Sequence, residues 1–237
     1  MTTTPTAPDG DEPLGLRERN RQERLARILS AAEQLFAERG FDQVTTREIA
    51  HAARVGEATL FRYVPNKSDL LLLVIGSKQD VLLDRLEQAD DRTEAQAPPS
   101  PPAQWFLDRI TEIYRARIHY YVADPVNVAQ YVTAGLQFGS TLGPKSTFAG
   151  DRVIARVQRI LAAGQQSGAL RDDVDALLVA RNVNGTYIHE VLRSPARNLT
   201  ISATWDRLAE RLDVMLRPLI TEHGRLGPQP IQEKIEQ

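Results

Sequence analysis

Residues 45–67 read TTREIAHAARVGEATLFRYVPNK. Thr45 and Glu48 stand three apart, the capping-box spacing in which a hydroxyl and a carboxylate satisfy free backbone N–H groups at a helix start. A short helix follows to about Ala53 or Arg54. A second covers about Glu57 to Tyr63 and is stopped by Pro65, which pushes Val64 towards an extended conformation. Two short helices around Arg54-Val55-Gly56 have the layout of a helix-turn-helix, whose second helix enters the major groove while the first crosses the phosphate backbone. The same spacing also suits a plain helical hairpin with a charged outside. Ile49, Ala53, Val55, Leu60 and Val64 can pack inward. Arg47, Gly56, Glu57, Ala58, Thr59, Arg62 and Tyr63 are left on the more exposed faces. Small Gly56 and Ala58 permit close approach to a groove wall, and hydroxyls and arginines are ordinary ligands of phosphates and bases.

Outward from this stretch the chain reads as all-α. Leu25, Ile28, Leu29, Ala32, Leu35 and Phe36 recur at three and four, predicting a helix over about 19–39 that Gly40 stops. A long apolar helix begins near Ser68. The proline run 98–102 marks a loop. Further helices are expected over about 103–123, 126–138, 151–167, 173–193 and 203–220, punctuated by Gly164, Gly168, Pro195 and Gly224. The total is about nine helices, three of them in the first third. We expect a disordered tail over 1–16, a helix-turn-helix domain over 17–67, a larger helical domain over 68–223 and a flexible tail over 224–237.

Composition narrows the function. The 237 residues include no Cys, which excludes disulfides and thiolate metal sites. No apolar run approaches the roughly 20 residues of a membrane span, and the N-terminus shows no signal-peptide pattern. Net charge is −2, yet residues 13–68 carry ten Lys/Arg against seven Asp/Glu. A locally basic segment on an acidic body suits anion binding, or simply a solvated surface. The four histidines have no metal-ligand spacing, and HExxH, nucleophile-elbow and P-loop patterns are absent. We therefore expect no enzyme activity, no metal and no cofactor.

The segment from Gly40 to Leu71, within about residues 21–75, closely resembles the DNA-binding part of the TetR (tetracycline repressor) family of bacterial regulators. Many positions agree together: Gly-Phe after the first helix, Thr-Thr before the second, Ile-Ala, a turn Val, Thr-Leu, and Asn-Lys before a Leu-rich helix. The resemblance implies that Thr46 and Arg47 meet phosphate, that Thr59 and Phe61 lie on the recognition helix, and that Lys67 meets phosphate beside the next helix. Phe61 replaces the more usual Tyr and loses a hydroxyl. Tyr63 stands where His is common. Glu57 either accepts from a cytosine amino group or caps the helix and repels phosphate.

The resemblance further implies a cytoplasmic, nucleoid-associated repressor that binds a palindromic duplex operator as a homodimer and is released by a small-molecule effector. The alternative is a helical adaptor that keeps the fold without binding DNA. For the effector pocket the candidates are Trp105, Tyr114, Arg117, Tyr121, Phe138 and Asn184, with Gln137 as a further polar group, since aromatic residues are dense over 105–138. The dimer interface, expected on the last two long helices, has Val183, Tyr187, Val191, Trp205, Leu208 and Leu212 as candidates.

Overall fold

The computed structural model describes residues 15–135, 143–193, 197, 200–222 and 224. Nine α-helices follow one another among them: α1 Leu16–Arg39, α2 Thr46–Ala52, α3 Glu57–Tyr63, α4 Lys67–Ala95, α5 Ala103–Ala123, α6 Pro125–Gly135, α7 Gly143–Gln166, α8 Ala176–Arg193 and α9 Ile201–Leu216. A 3-10 turn, Arg217–Leu219, closes the bundle. No strand occurs among the described residues. One isolated antiparallel bridge joins Leu170 to Ile220.

Helices of seven residues are too short to persist alone, so α2 and α3 depend on tertiary burial. Ile28, Ala32 and Phe36 of α1 form one wall of a small core. Val44, Ile49, Ala50, Ala53, Leu60 and Val64 fill it, and Leu70, Leu71 and Val74 of α4 close it. Each large apolar side chain buried this way contributes about 1.5–3 kcal/mol. The larger bundle packs α7 against α8, α8 against α9, and α5 against α9, with α4 lying along α6 and α7.

Three boundaries differ from the sequence reading for identifiable reasons. Asn66 caps α4 by accepting from the Asp69 N–H at 2.7 Å, so this helix starts at Lys67. Asp175 Oδ1 accepts from the backbone N–H groups of Leu177 and Leu178, which delays α8 to Ala176. Gly164 does not punctuate a helix but lies inside α7. A Cβ there would sit 2.5 Å from Leu170 Cδ1, so the absent side chain makes room for close packing. Gly168, at φ 75°, is the actual stop.

Two ionic assemblies, one buried and one partly exposed, tie α4 into the bundle. Arg109 of α5 donates to both Asp90 oxygens, at 2.7 and 3.0 Å, and Arg156 of α7 reaches Asp90 at 3.1 Å. One turn before Arg156, Arg152 pairs with Asp84 and Glu87.

Candidate functional site

The turn between α2 and α3 is shaped by Arg54, which takes a left-handed φ of 56°. Its N–H bonds to His51 O at 3.0 Å, and the Val55 N–H bonds to Ala50 O at 2.9 Å. Gly56 then leads into α3 at φ −71° and ψ 148°. The expected capping box is present on α2: the Thr45 hydroxyl accepts from Glu48 N, and Glu48 accepts from Thr45 N at 2.8 Å. These bonds and Arg39 at 2.9 Å hold the Glu48 carboxyl down to about 2.

α3 presents Glu57, Ala58, Phe61 and Arg62 to solvent, with Thr59 and Tyr63 half-buried. Phe61 is 43% exposed. Arg62 lies over the Tyr63 ring at 5.9 Å. Arg47 and Arg54 are exposed, Thr46 is half-buried, and none of Arg47, Arg54 and Arg62 enters an ion pair among the described residues. Thr46 Oγ1 donates to Glu57 Oε1 at 3.0 Å, which ties the start of α2 to the start of α3. Glu57 occupies the first turn of α3, where a carboxylate is electrostatically favoured.

Lys67 has a part the sequence did not suggest. Its ammonium donates to Phe41 O at 2.8 Å and Val44 O at 2.9 Å, over the Phe41 ring at 4.2 Å. It locks the α1–α2 loop to the start of α4 and has one further N–H to offer.

The candidate effector residues separate. Tyr114, Arg117 and Asn184 come together: Arg117 donates to Asn184 Oδ1 at 3.0 Å, 5.4 Å from the Tyr114 ring centroid. Tyr121 is fully buried further along α5. Tyr187, assigned above to the dimer interface, belongs here instead, with its ring 3.8 Å below the Arg117 guanidinium. Burial pushes the Tyr114 and Tyr187 phenols up, against the opposing effect of Arg117. Trp105 stands twelve residues before Arg117 on the same helix, roughly 18 Å away. It stacks on Arg109 at 4.5 Å and lines a separate groove of about 300 Å³ with Leu86, Ala89 and Ile113. Phe138 and Gln137 lie outside the described residues.

The dimer candidates also need correction. Val183, Tyr187, Val191, Leu208 and Leu212 are at most 2% exposed, because α5, α7 and the facing helix of the α8–α9 pair consume those apolar stripes. Only Trp205 keeps partial exposure, under Arg115 at 5.5 Å. The outer face of α8 and α9 carries exposed Leu178 and Val214, with Thr186, Arg211 and Met215 between.

Two features escaped the sequence reading. The positive φ of Arg54 leaves no composition signal beyond its place in a turn. Asn127, buried near the start of α6, accepts from the Phe41 N–H at 3.0 Å and donates to Phe36 O at 2.9 Å. It joins the large bundle to the end of α1, and no spacing rule points to such a distant contact.

A two-helix reader held by a third helix, and attached to a larger helical bundle, defines the class: a helix-turn-helix protein. Residues 28–74 match the model described as "Bacterial regulatory proteins, tetR family". Over 64 residues, 27% of this chain, it is 41% identical to the HTH-type transcriptional regulator YvkB of Bacillus subtilis, a match spanning 34% of that protein. Over 199 residues, 84% of the chain and 81% of the relative, it is 25% identical to the HTH-type transcriptional repressor KstR of Mycobacterium tuberculosis. The crystal structure of Thermus thermophilus FadR, a TetR-family repressor in complex with lauroyl-CoA, superposes with a TM-score of 0.62 at 24% identity, covering 87% of this chain and 98% of that one. Residues 28–74 are thus similar to the DNA-binding segment of the TetR family, and the chain as a whole has the all-α fold of the regulators it superposes on.

Proposed function

We propose that this protein is a ligand-responsive transcriptional repressor that binds a palindromic duplex operator as a homodimer and leaves it when a small molecule occupies the large helical bundle. The observation that carries this reading is the exposed face of α2, the turn and α3. It gathers Arg47, Arg54 and Arg62, which enter no ion pair among the described residues, while Glu57 is engaged by Thr46. Arg47, Arg54, Thr46 and Lys67 meet phosphates. Thr59, Phe61, Arg62 and Tyr63 lie along the groove, with Gly56 and Ala58 allowing approach. Residues 17–67 act as the reader and 68–223 as the effector-binding and dimerising part, in the cytoplasm on the nucleoid. No helix among the described residues is long and apolar enough to cross a membrane. The repressor names of KstR and FadR, and the lauroyl-CoA held by Thermus FadR, support the same reading.

Dimerisation uses the outer face of α8 and α9, around Leu178, Thr186, Arg211 and Val214, rather than the buried stripe. Two-fold pairing sets recognition helices about 34–36 Å apart, one turn of DNA. α4 transmits the signal. Its first residues belong to the reader, and its later acids are gripped by Arg109, Arg152 and Arg156. A ligand that favours one placement of those helices shifts the spacing of the readers and weakens operator binding.

Selection of bound fragments from the source genome, followed by titration of the best fragment at 50 and 200 mM salt, tests the reading. We expect a palindromic site. With about eight phosphate contacts per dimer, affinity falls by roughly 10³–10⁵ between those salts. A folded dimer that enriches no site, or binds with no salt dependence, sinks the proposal in favour of a helical adaptor.

A further inference from the structure

Three arginines are buried in the large bundle: Arg109 at 6% exposure, Arg117 at 5% and Arg156 at 6%. Arg109 and Arg156 share the carboxylate of Asp90. Arg117 has no carboxylate partner among the described residues. Among the described residues it makes one hydrogen bond, to the neutral Asn184, and stacks on the neutral Tyr187 and Tyr114 rings. A guanidinium offers five N–H groups, and Arg117 Nε is buried with no acceptor. Tyr114 Oη, one turn earlier on α5, is likewise buried and unbonded. Residues 136–148, from the end of α6 into the first turns of α7, contain no Asp or Glu, and outside the described residues acids occur only within 1–14 and 225–237. An unpaired buried charge is among the costliest features a fold can keep.

We propose that Arg117 is the anchor for an anionic effector, a small monocarboxylic acid with an apolar or aromatic body, and that this acid is the counter-ion the fold lacks. This rests on the reading of the large bundle as the effector-binding part. Asn184 occupies the Nη1 side of the guanidinium, which leaves the Nε–Nη2 edge, the fork that matches two carboxylate oxygens. The Tyr114 hydroxyl adds a neutral donor. The tyrosine rings that flank the cation supply an apolar setting for the acid's body. One cation with neutral donors balances a monoanion. A phosphate dianion would leave excess negative charge buried.

Two measurements on the full-length protein test this. The first compares ligand-free thermal stability. Arg109→Met takes from the buried Asp90 carboxylate its two-pronged partner, leaving Arg156 alone, and is expected to lower Tm by roughly 5–10 °C. Arg117→Met removes an uncompensated charge, so Tm rises or falls by less than about a third of that. A loss as large as that of Arg109→Met makes Arg117 a structural residue and overturns the proposal.

The second is a binding panel of benzoate, phenylacetate, octanoate and palmitate, each beside its methyl ester, with phenyl and octyl phosphate as the competing anion class. At least one acid binds while its ester does not. Arg117→Met weakens that acid by about 10–100-fold, and Arg117→Lys, which keeps the charge but not the fork, recovers only part of it. Equal binding of acid and ester, preference for the phosphates, or no binding across the panel overturns it. Operator binding by ligand-free protein is measured separately. A panel failure beside intact, salt-dependent operator binding rejects the anion anchor alone, and loss of operator binding rejects the regulator reading.

Discussion

Arg54 is the residue where local cost and function meet most directly. A non-glycine side chain at φ 56° is strained by about 1–2 kcal/mol. Glycine relieves this but loses more freedom on folding. Arg54→Gly is therefore expected to stabilise the protein by about 0.5–1 kcal/mol in denaturant unfolding while weakening operator binding and its salt dependence. If stability drops instead, the side chain has a folded-state role that its exposure does not suggest. Glu48 makes a second case. Its carboxyl is held at about 2 against an ordinary 4.5, chiefly by the Thr45 hydroxyl and backbone N–H. A depressed acid stabilises the fold fully above the ordinary value and loses that contribution as pH falls towards about 2. Glu48→Gln keeps an acceptor but not the charge, so it flattens the acid limb of stability between about pH 4.5 and 2. An unchanged limb means the capping charge does not contribute. The capping box was legible in the sequence because it depends on a three-residue spacing. The positive φ of Arg54 was not, because it follows from how α2 and α3 must be oriented.

At the scale of elements, α4 is the member on which the others converge. Its N-terminus is locked by Asn66 and Lys67, its middle packs on α1 and α6, and its last turns present acids to α5 and α7. Asp90 serves two buried guanidiniums at once. Asp90→Ala leaves Arg109 and Arg156 only the exposed Glu94 and Asp91, and the expected loss is about 3–5 kcal/mol, read as a lower Tm with operator affinity retained at low temperature. A loss below about 1 kcal/mol places the balance with the exposed Asp91 and Glu94 instead. Helix existence was readable from the three-and-four recurrence of apolar residues, because a helix buries one stripe. What each stripe faces was not. Val183, Val191, Leu208 and Leu212 have the pattern of an interface, yet their surface is spent inside one protomer. Gly164 illustrates the same limit: a glycine that stops a helix and one that lets a neighbour approach look alike until Leu170 is in place.

Over the whole molecule, reader and bundle meet through α4 and through Asn127. The second link is small but buried: it accepts from the Phe41 N–H just past α1 and gives Phe36 O a second donor beside the Gly40 N–H. Asn127→Ala unpairs the Phe41 N–H and is expected to cost about 1–3 kcal/mol. Ligand-free operator binding survives, while the loss of affinity caused by the effector shrinks, because one route for moving the reader against the bundle is gone. An unaltered effector response assigns the coupling to α4 alone. The sequence by itself determined the all-α class, the run of helices and the reader motif. Each rests on short-range periodicity, on capping chemistry and on a dense cluster of matching positions. Tertiary structure alone decided that Trp105 leaves the Arg117 group, that Tyr187 joins it, that Lys67 braces a loop and that Arg117 is buried with no counter-charge among the described residues. Those facts depend on which residues distant in sequence share one interior, and burial, unlike helicity, is settled only when the whole chain has packed.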